Sequence, residues 1–180
     1  MMIMELEVKT VKLKDLTRFA DIRGVMKSCA ECPRFGASWS CPPDVPNIYR
    51  YLWKYDKADL IVAKVVYPEK LCQGNFADLF AAREKYYDGE RRKLQLTLLE
   101  MEKKIPGSYS VSTCLICDTC ARSEGLPCRH PDMMRYSMTT LGFDFSKLMK
   151  EYFDIELTWS GEKLSSYDYI VAALFLPADR

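Results

Sequence analysis

Apolar positions along the chain fall into three patterns, and each predicts a different kind of element. Leu6 and Val8 alternate with charged residues, then Val11 and Leu13 resume the alternation one step out of phase, which predicts an early strand with a bulge or turn. Leu60 to Tyr67 is nearly all apolar and rich in β-branched side chains, as a strand covered on both faces would be, and Pro68 stops it. Tyr167 to Leu176 has the same character. Between them Phe76, Leu79, Phe80, Tyr87, Leu94, Leu98, Met101 and Ile105 recur at helical spacing. One long helix, or two broken near Asp88-Gly89, is predicted there, ended by Pro106-Gly107. Ser108 to Thr113 alternates Tyr109 and Val111 with Ser and reads as a short strand. Shorter helices are predicted over Pro46 to Tyr55, over Asp132 to Thr140 behind Pro131, and over Ser146 to Phe153 after Gly142. The mixture predicts an α/β sandwich, a central mixed sheet flanked by helices with two cysteine-bearing metal loops, built as one domain over residues 1–180.

Charge adds little direction to this picture. Lys and Arg number 26 against 25 Asp and Glu, so no overall field draws the molecule to nucleic acid or to anionic lipid, and neither is expected as a partner. Met1 to Thr10 interleaves Glu5, Glu7 and Lys9 with apolar residues, unlike a secretory signal, and the longest apolar run, Tyr169 into Pro177, is only strand length. A soluble, cytoplasmic protein is the expectation. In that compartment thiols stay reduced, so the eight cysteines read as ligands or catalysts before they read as disulfides.

Seven of those cysteines fall into two groups. The second group, Cys114-x2-Cys117-x2-Cys120 continuing to Cys128, is the stronger signal. Two-residue spacers let the backbone curl so that successive thiolates reach different irons of one cluster, whereas a zinc knuckle supplies its cysteines in pairs. Four ligands are available, which suits a [4Fe–4S] cluster first and zinc as the alternative. Seven residues separate Cys120 from Cys128, and Arg129-His130 stands before Pro131, so the spacing is not that of an ordinary ferredoxin.

The first group, Cys29-x2-Cys32-x8-Cys41-Pro42-Pro43, has three thiols and a stiff diproline turn that would hold Cys41 in one direction. It echoes Cys117-x2-Cys120-x7-Cys128, a hint that the two loops play matching roles. Four ligands would need Cys72, His130, exchange between loops, or an external molecule on the open position.

Other residues have plain readings that weigh against their functional ones. His130, the single histidine, is placed to ligate metal or bond a cluster sulfur, but its place at a helix entry fits backbone satisfaction better. Cys72 has no neighbouring cysteine and reads as a bystander, Phe35 and Trp39 as packing ahead of shielding a cluster, and Arg91-Arg92-Lys93 as a solvated helix face. The chain lacks Gly-x-Gly-x-x-Gly after a strand, the phosphate-cradling lysine loop and His-Glu-x-x-His, which removes support for nucleotide enzymes and zinc proteases. A lone histidine tied to the cysteine segment makes a Ser-His-Asp or Cys-His mechanism hard to build, and both Cys-x-x-Cys pairs sit inside longer series, unlike a thioredoxin site.

The two motifs together, Cys-x2-Cys-x2-Phe-Gly-x2-Trp-x-Cys-Pro-Pro from Cys29 to Pro43 and Cys-x2-Cys-x2-Cys-Ala with Gly-x-Pro-Cys-Arg-His-Pro from Cys114 to Pro131, resemble a family of prokaryotic cysteine-rich proteins described as predicted metal-binding. The likeness continues through Arg135, Ser137, Met138, Gly142 and Asp144, with departures at Tyr136 and Phe143, and leaves Phe76 to Lys104 outside it. It implies cysteine-bound metal at Cys29, Cys32, Cys41, Cys114, Cys117, Cys120 and Cys128 and carries no reaction. Three functions follow as expectations: an iron–sulfur protein passing electrons to a redox partner protein, a zinc-stabilised binding module, or an enzyme with an open metal position.

Overall fold

The computed structural model describes residues 5–157 and 164–178; residues 1–4, at the head of the stretch compared with a secretory signal, lie outside them. Four strands, β1 (Glu5–Lys12), β2 (Tyr55–Val66), β3 (Tyr109–Val111) and β4 (Tyr167–Pro177), form one sheet in the order β1-β2-β4-β3. Every pairing is antiparallel, which corrects the expected mixed sheet. Apolar runs like those of β2 and β4 suit a strand buried on both faces whichever way its neighbours point, so the pattern carried the burial and not the direction.

Alternation on those strands sorts two cores. Ala58, Leu60 and Val62 of β2 join Ala173 and Phe175 of β4 on one face, packed with Leu13, Leu16, Phe143, Leu148 and Met149. Ile61, Ala63 and Val65 join Ile170 and Ala172 on the other, under Leu94 and Leu98 of α2 (Phe76–Lys104). The long helix is unbroken through Asp88-Gly89, and Asn75 caps its start by accepting from the Ala77 N–H at 2.8 Å. The first face is covered by a 3₁₀ segment, Leu13–Phe19, by α3 (Phe145–Phe153) and by turns. The change of phase at Val11 to Leu13 is the end of β1, not a bulge; the register shift in the sheet lies between Tyr55 and Lys57 of β2.

Two predicted helices are absent. Pro46 to Tyr55 contains only a 3₁₀ turn, Ile48–Arg50, capped by Asn47. Asp132 to Thr140 runs in turns because the Arg135 guanidinium donates to the carbonyls of Asp132 and Met134, both at 2.8 Å, taking acceptors that a helix would use. A helix not among those predicted, α1 (Ile22–Ala30), buries no residue fully; Asp21 caps it by accepting from the Gly24 N–H at 2.9 Å. No helix among the described residues is long and apolar enough to cross a membrane.

Candidate functional site

Cys29 sits in the last turn of α1, and the chain then folds back on itself. The Cys32 N–H donates to the Cys29 carbonyl at 3.0 Å, Phe35 to Cys32 at 2.9 Å, Gly36 to Pro42 at 2.8 Å and Cys41 to Ser38 at 3.1 Å. Gly36 takes a positive φ of 71°, a conformation glycine adopts without a Cβ penalty, and the Pro42-Pro43 peptide is cis. Burial pushes the Cys29 thiol up, and the charges of Cys32 and Cys41 push the same way. Burial also raises Cys41, against the opposing pull of the Ser40 hydroxyl and the Arg34 guanidinium. Each of these thiols therefore feels its companions.

The second group is held from below by α2. Gln95, fully buried, accepts the Leu115 N–H at 2.7 Å through Oε1. Arg92 donates to the Ile116 carbonyl at 2.7 Å and to Asp118 at 2.9 Å. Arg91 bonds Thr113, beside Cys114, and Asp88, to which Arg34 of the first loop also donates. The solvated face expected at Arg91-Arg92-Lys93 is therefore in part an anchor: Arg91 and Arg92 fasten the loops, while Lys93 pairs with Glu90 on its own helix. Their spacing was visible, but only the fold brings the loops over that face.

The two loops touch. The Trp39 indole N–H donates to the Leu126 carbonyl at 3.0 Å, and the Arg122 guanidinium lies 4.8 Å from the Trp39 ring while donating to Asp44 at 3.0 Å. Burial raises the Cys120 thiol, but N–H groups of Arg122 and Trp39, the Ser38 hydroxyl and the Arg129 charge outweigh it, and the net direction is down. Arg129 donates to the Thr119 carbonyl at 2.9 Å and to Glu124 at 2.7 Å.

Seven cysteines divide between two cavities. Cys114, Cys117, Cys120 and Cys128 line a hollow of about 30 Å³, with Trp39 and His130 on its wall. Cys29, Cys32 and Cys41 line a separate cavity of about 720 Å³. Cys72 lines neither; its thiol faces the Pro68, Tyr67 and Ser165 carbonyls at 3.5 to 4.0 Å. The His130 carbonyl accepts the N–H groups of Met133 and Met134 at 3.1 and 3.0 Å, a backbone role at the turn that follows. Among the described residues, no three His, Cys, Asp or Glu side chains are grouped closely enough to hold a metal ion.

An antiparallel α/β chain carrying two thiol-lined cavities defines a cysteine-rich protein suited to soft metals by its donors. The chain belongs to the DUF2284 family of predicted metal-binding proteins, whose family model matches residues 17–175. That match takes in α2, which the motif likeness had left outside. No curated protein and no solved structure matches the chain.

Proposed function

We propose that Cys114, Cys117, Cys120 and Cys128 hold a [4Fe–4S] cluster and that the protein transfers electrons to a partner redox protein in the cytoplasm. The observation that carries the reading is that these four thiols line one hollow, although no three of them are grouped closely enough to hold a metal ion without the loops drawing in. Its donor set fits the group: thiolates favour iron–sulfur clusters and zinc over magnesium or calcium, and no carboxylate is among the described residues lining the hollow. At about 30 Å³ it is far below the several hundred typical of a metabolite pocket. The triplet spacing favours the cluster over zinc.

An iron–sulfur cluster supplies one-electron redox chemistry when bound. The chain's own residues supply its setting. N–H groups of Arg122 and Trp39, the Ser38 hydroxyl and the Arg129 charge stabilise negative charge on Cys120. Trp39 forms part of one wall. All four thiols are part-exposed, which keeps the site near the surface where a partner can approach.

The test is metal analysis of protein expressed and purified without oxygen. Iron and acid-labile sulfide in about equal amounts, with a visible band bleached by dithionite, is the expected result. Stoichiometric zinc in a colourless protein would replace it with a structural zinc site, in which the metal orders the loops and the search moves to binding surfaces.

A further inference from the structure

The two edges of the sheet are finished differently. β3 closes one side with only three residues, and its Ser110 N–H is already given to Glu102. β1 closes the other side with eight residues, and among the described residues no hydrogen bond outside its pairing with β2 reaches its backbone. An edge strand of that length presents a row of N–H and C=O groups that another strand can pair.

The side chains of β1 narrow the choice of partner. Leu6 and Val8 stand opposite Ala63 and Ile61 of β2 and so share the face of the second core, yet they are 52% and 57% exposed. The cover that Leu94 and Leu98 give Ile61 and Ala63 stops short of them. On the other face Glu7 and Lys9 stand opposite Val62 and Leu60, with opposite charges at alternate positions of one strand. Such a strip is complementary to its own reverse.

Register makes that complementarity specific. Opposed residues of an antiparallel pair either both bond across the gap or both turn away from it, so two copies of β1 must set odd positions against odd and even against even. Centring the pair on Glu7 opposes Glu7 to itself, centring it on Lys9 opposes Lys9 to itself, and centring it on Leu6 opposes Glu5 to Glu7. Centring it on Val8 sets Glu7 against Lys9 on both sides of the axis, Val8 against Val8 and Leu6 against Thr10. Of the registers that oppose two charged residues of β1, this one alone joins unlike signs.

We propose that two copies of this chain pair through β1, antiparallel about a two-fold axis at Val8, so that their sheets join edge to edge. Glu7 of each copy then meets Lys9 of the other, and Leu6 and Val8 of both copies form one apolar strip that continues the second core. No β1 residue lines either cysteine cavity, so the pairing stands apart from the reading of the small hollow.

The test is sedimentation equilibrium of anaerobically purified protein in four forms: unaltered, Glu7→Lys, Lys9→Glu, and Glu7→Lys/Lys9→Glu, with circular dichroism as the control for folding. Unaltered protein should dimerise at about 10–100 μM, as befits a small interface. Each single substitution turns two attractive cross-strand pairs into repulsive ones and should weaken association about tenfold or more. The double substitution should restore it to within about threefold, because it exchanges the charges without opposing like to like. An equal mixture of the two single variants should dimerise where each alone stays monomeric. Amide exchange in unaltered protein, slowing across β1 as concentration rises, reads the same contact should a variant fail to fold. Monomer up to about 1 mM, a dimer indifferent to either single substitution, weakening that the double substitution does not reverse, or β1 exchange unchanged through dimerisation would each overturn the proposal.

Discussion

The indole N–H of Trp39 and the carbonyl of Leu126 meet at 3.0 Å, joining one cysteine loop to the other across 87 positions of sequence. Trp39 also lines the small hollow, and its backbone N–H helps hold the Cys120 thiol low, so one residue links that hollow to the first loop. Trp39→Phe keeps most of the ring and removes the indole donor. It should cost about 1 kcal/mol in chemical denaturation of the metal-loaded protein and speed release of metal to a chelator. Identical release rates would show that the link does not hold the hollow shut.

Glu102 and Arg135 form a fork pair whose side chains are only 14% and 10% exposed, with the Arg135 Nε donating to Glu102 Oε1 at 2.8 Å. The Ser110 N–H donates to the same Glu102 oxygen, so α2, β3 and the turn after the second cysteine loop meet there. Glu102→Gln should destabilise by about 3–5 kcal/mol, the cost of leaving one partner of a buried pair uncompensated. Burial raises the Glu102 carboxyl, but hydrogen bonds from Arg135 and Ser110 outweigh it and hold its pKa below the ordinary value. A depressed native pKa gives stability that is present above the unfolded pKa of about 4.3 and is lost as pH falls through the native value. Denaturation curves between neutral and acid pH should therefore fall more steeply for the unaltered protein than for Glu102→Gln.

Gly142 has a positive φ of 95°, and a Cβ there would lie 2.6 Å from Ile22 Cγ1. Its carbonyl accepts the Asp21 N–H at 2.9 Å, the contact that sets the start of α1 and, eight residues later, the position of Cys29. Gly142→Ala should destabilise by about 1–3 kcal/mol from the backbone strain alone, measured by thermal or chemical unfolding. A stability within error of the unaltered protein would contradict the tight packing of this turn.

Two anchors on the second cysteine loop should differ sharply. Asp118 is 92% exposed in its ion pair with Arg92, and Asp118→Asn should change stability by less than about 1 kcal/mol and leave metal content alone. Gln95 is fully buried and supplies the acceptor for the Leu115 N–H. Gln95→Leu strands that donor and should cost about 1–3 kcal/mol, partly offset because the Gln95 amide nitrogen has no partner of its own. Metal retention in dialysis should fall for Gln95→Leu and not for Asp118→Asn.

How much of this was legible follows from what each residue is buried against. β2 and β4 could be read because residues such as Leu60, Ile61, Ala172 and Ala173 alternate between two covered faces, which leaves an almost unbroken apolar run. α2 could be read from Leu94 and Leu98, and the two cysteine groups from their spacing alone. The antiparallel order was not legible, because direction depends on connections and not on composition. α1 was not legible as a helix although Ile22, Val25, Met26 and Cys29 recur at helical spacing, because that short stripe ends in the first cysteine group and reads as part of the loop. The predicted helix over Asp132 to Thr140 failed to a long side chain, Arg135, whose competition for carbonyls has no periodic signature. Arg91 and Arg92 looked like surface charge because their partners Thr113 and Ile116 are more than twenty residues away. That the two groups line separate cavities was not legible, because spacing does not tell whether two loops share a site.

The most direct test of the central claim is the electron paramagnetic resonance spectrum of anaerobically purified, dithionite-reduced protein, compared with that of Cys114→Ser/Cys117→Ser. A reduced-cluster signal in the unaltered protein that disappears in the variant, together with iron and sulfide lost in parallel, is the predicted result. A signal of undiminished intensity in the variant, or stoichiometric zinc with no signal in the unaltered protein, would contradict it.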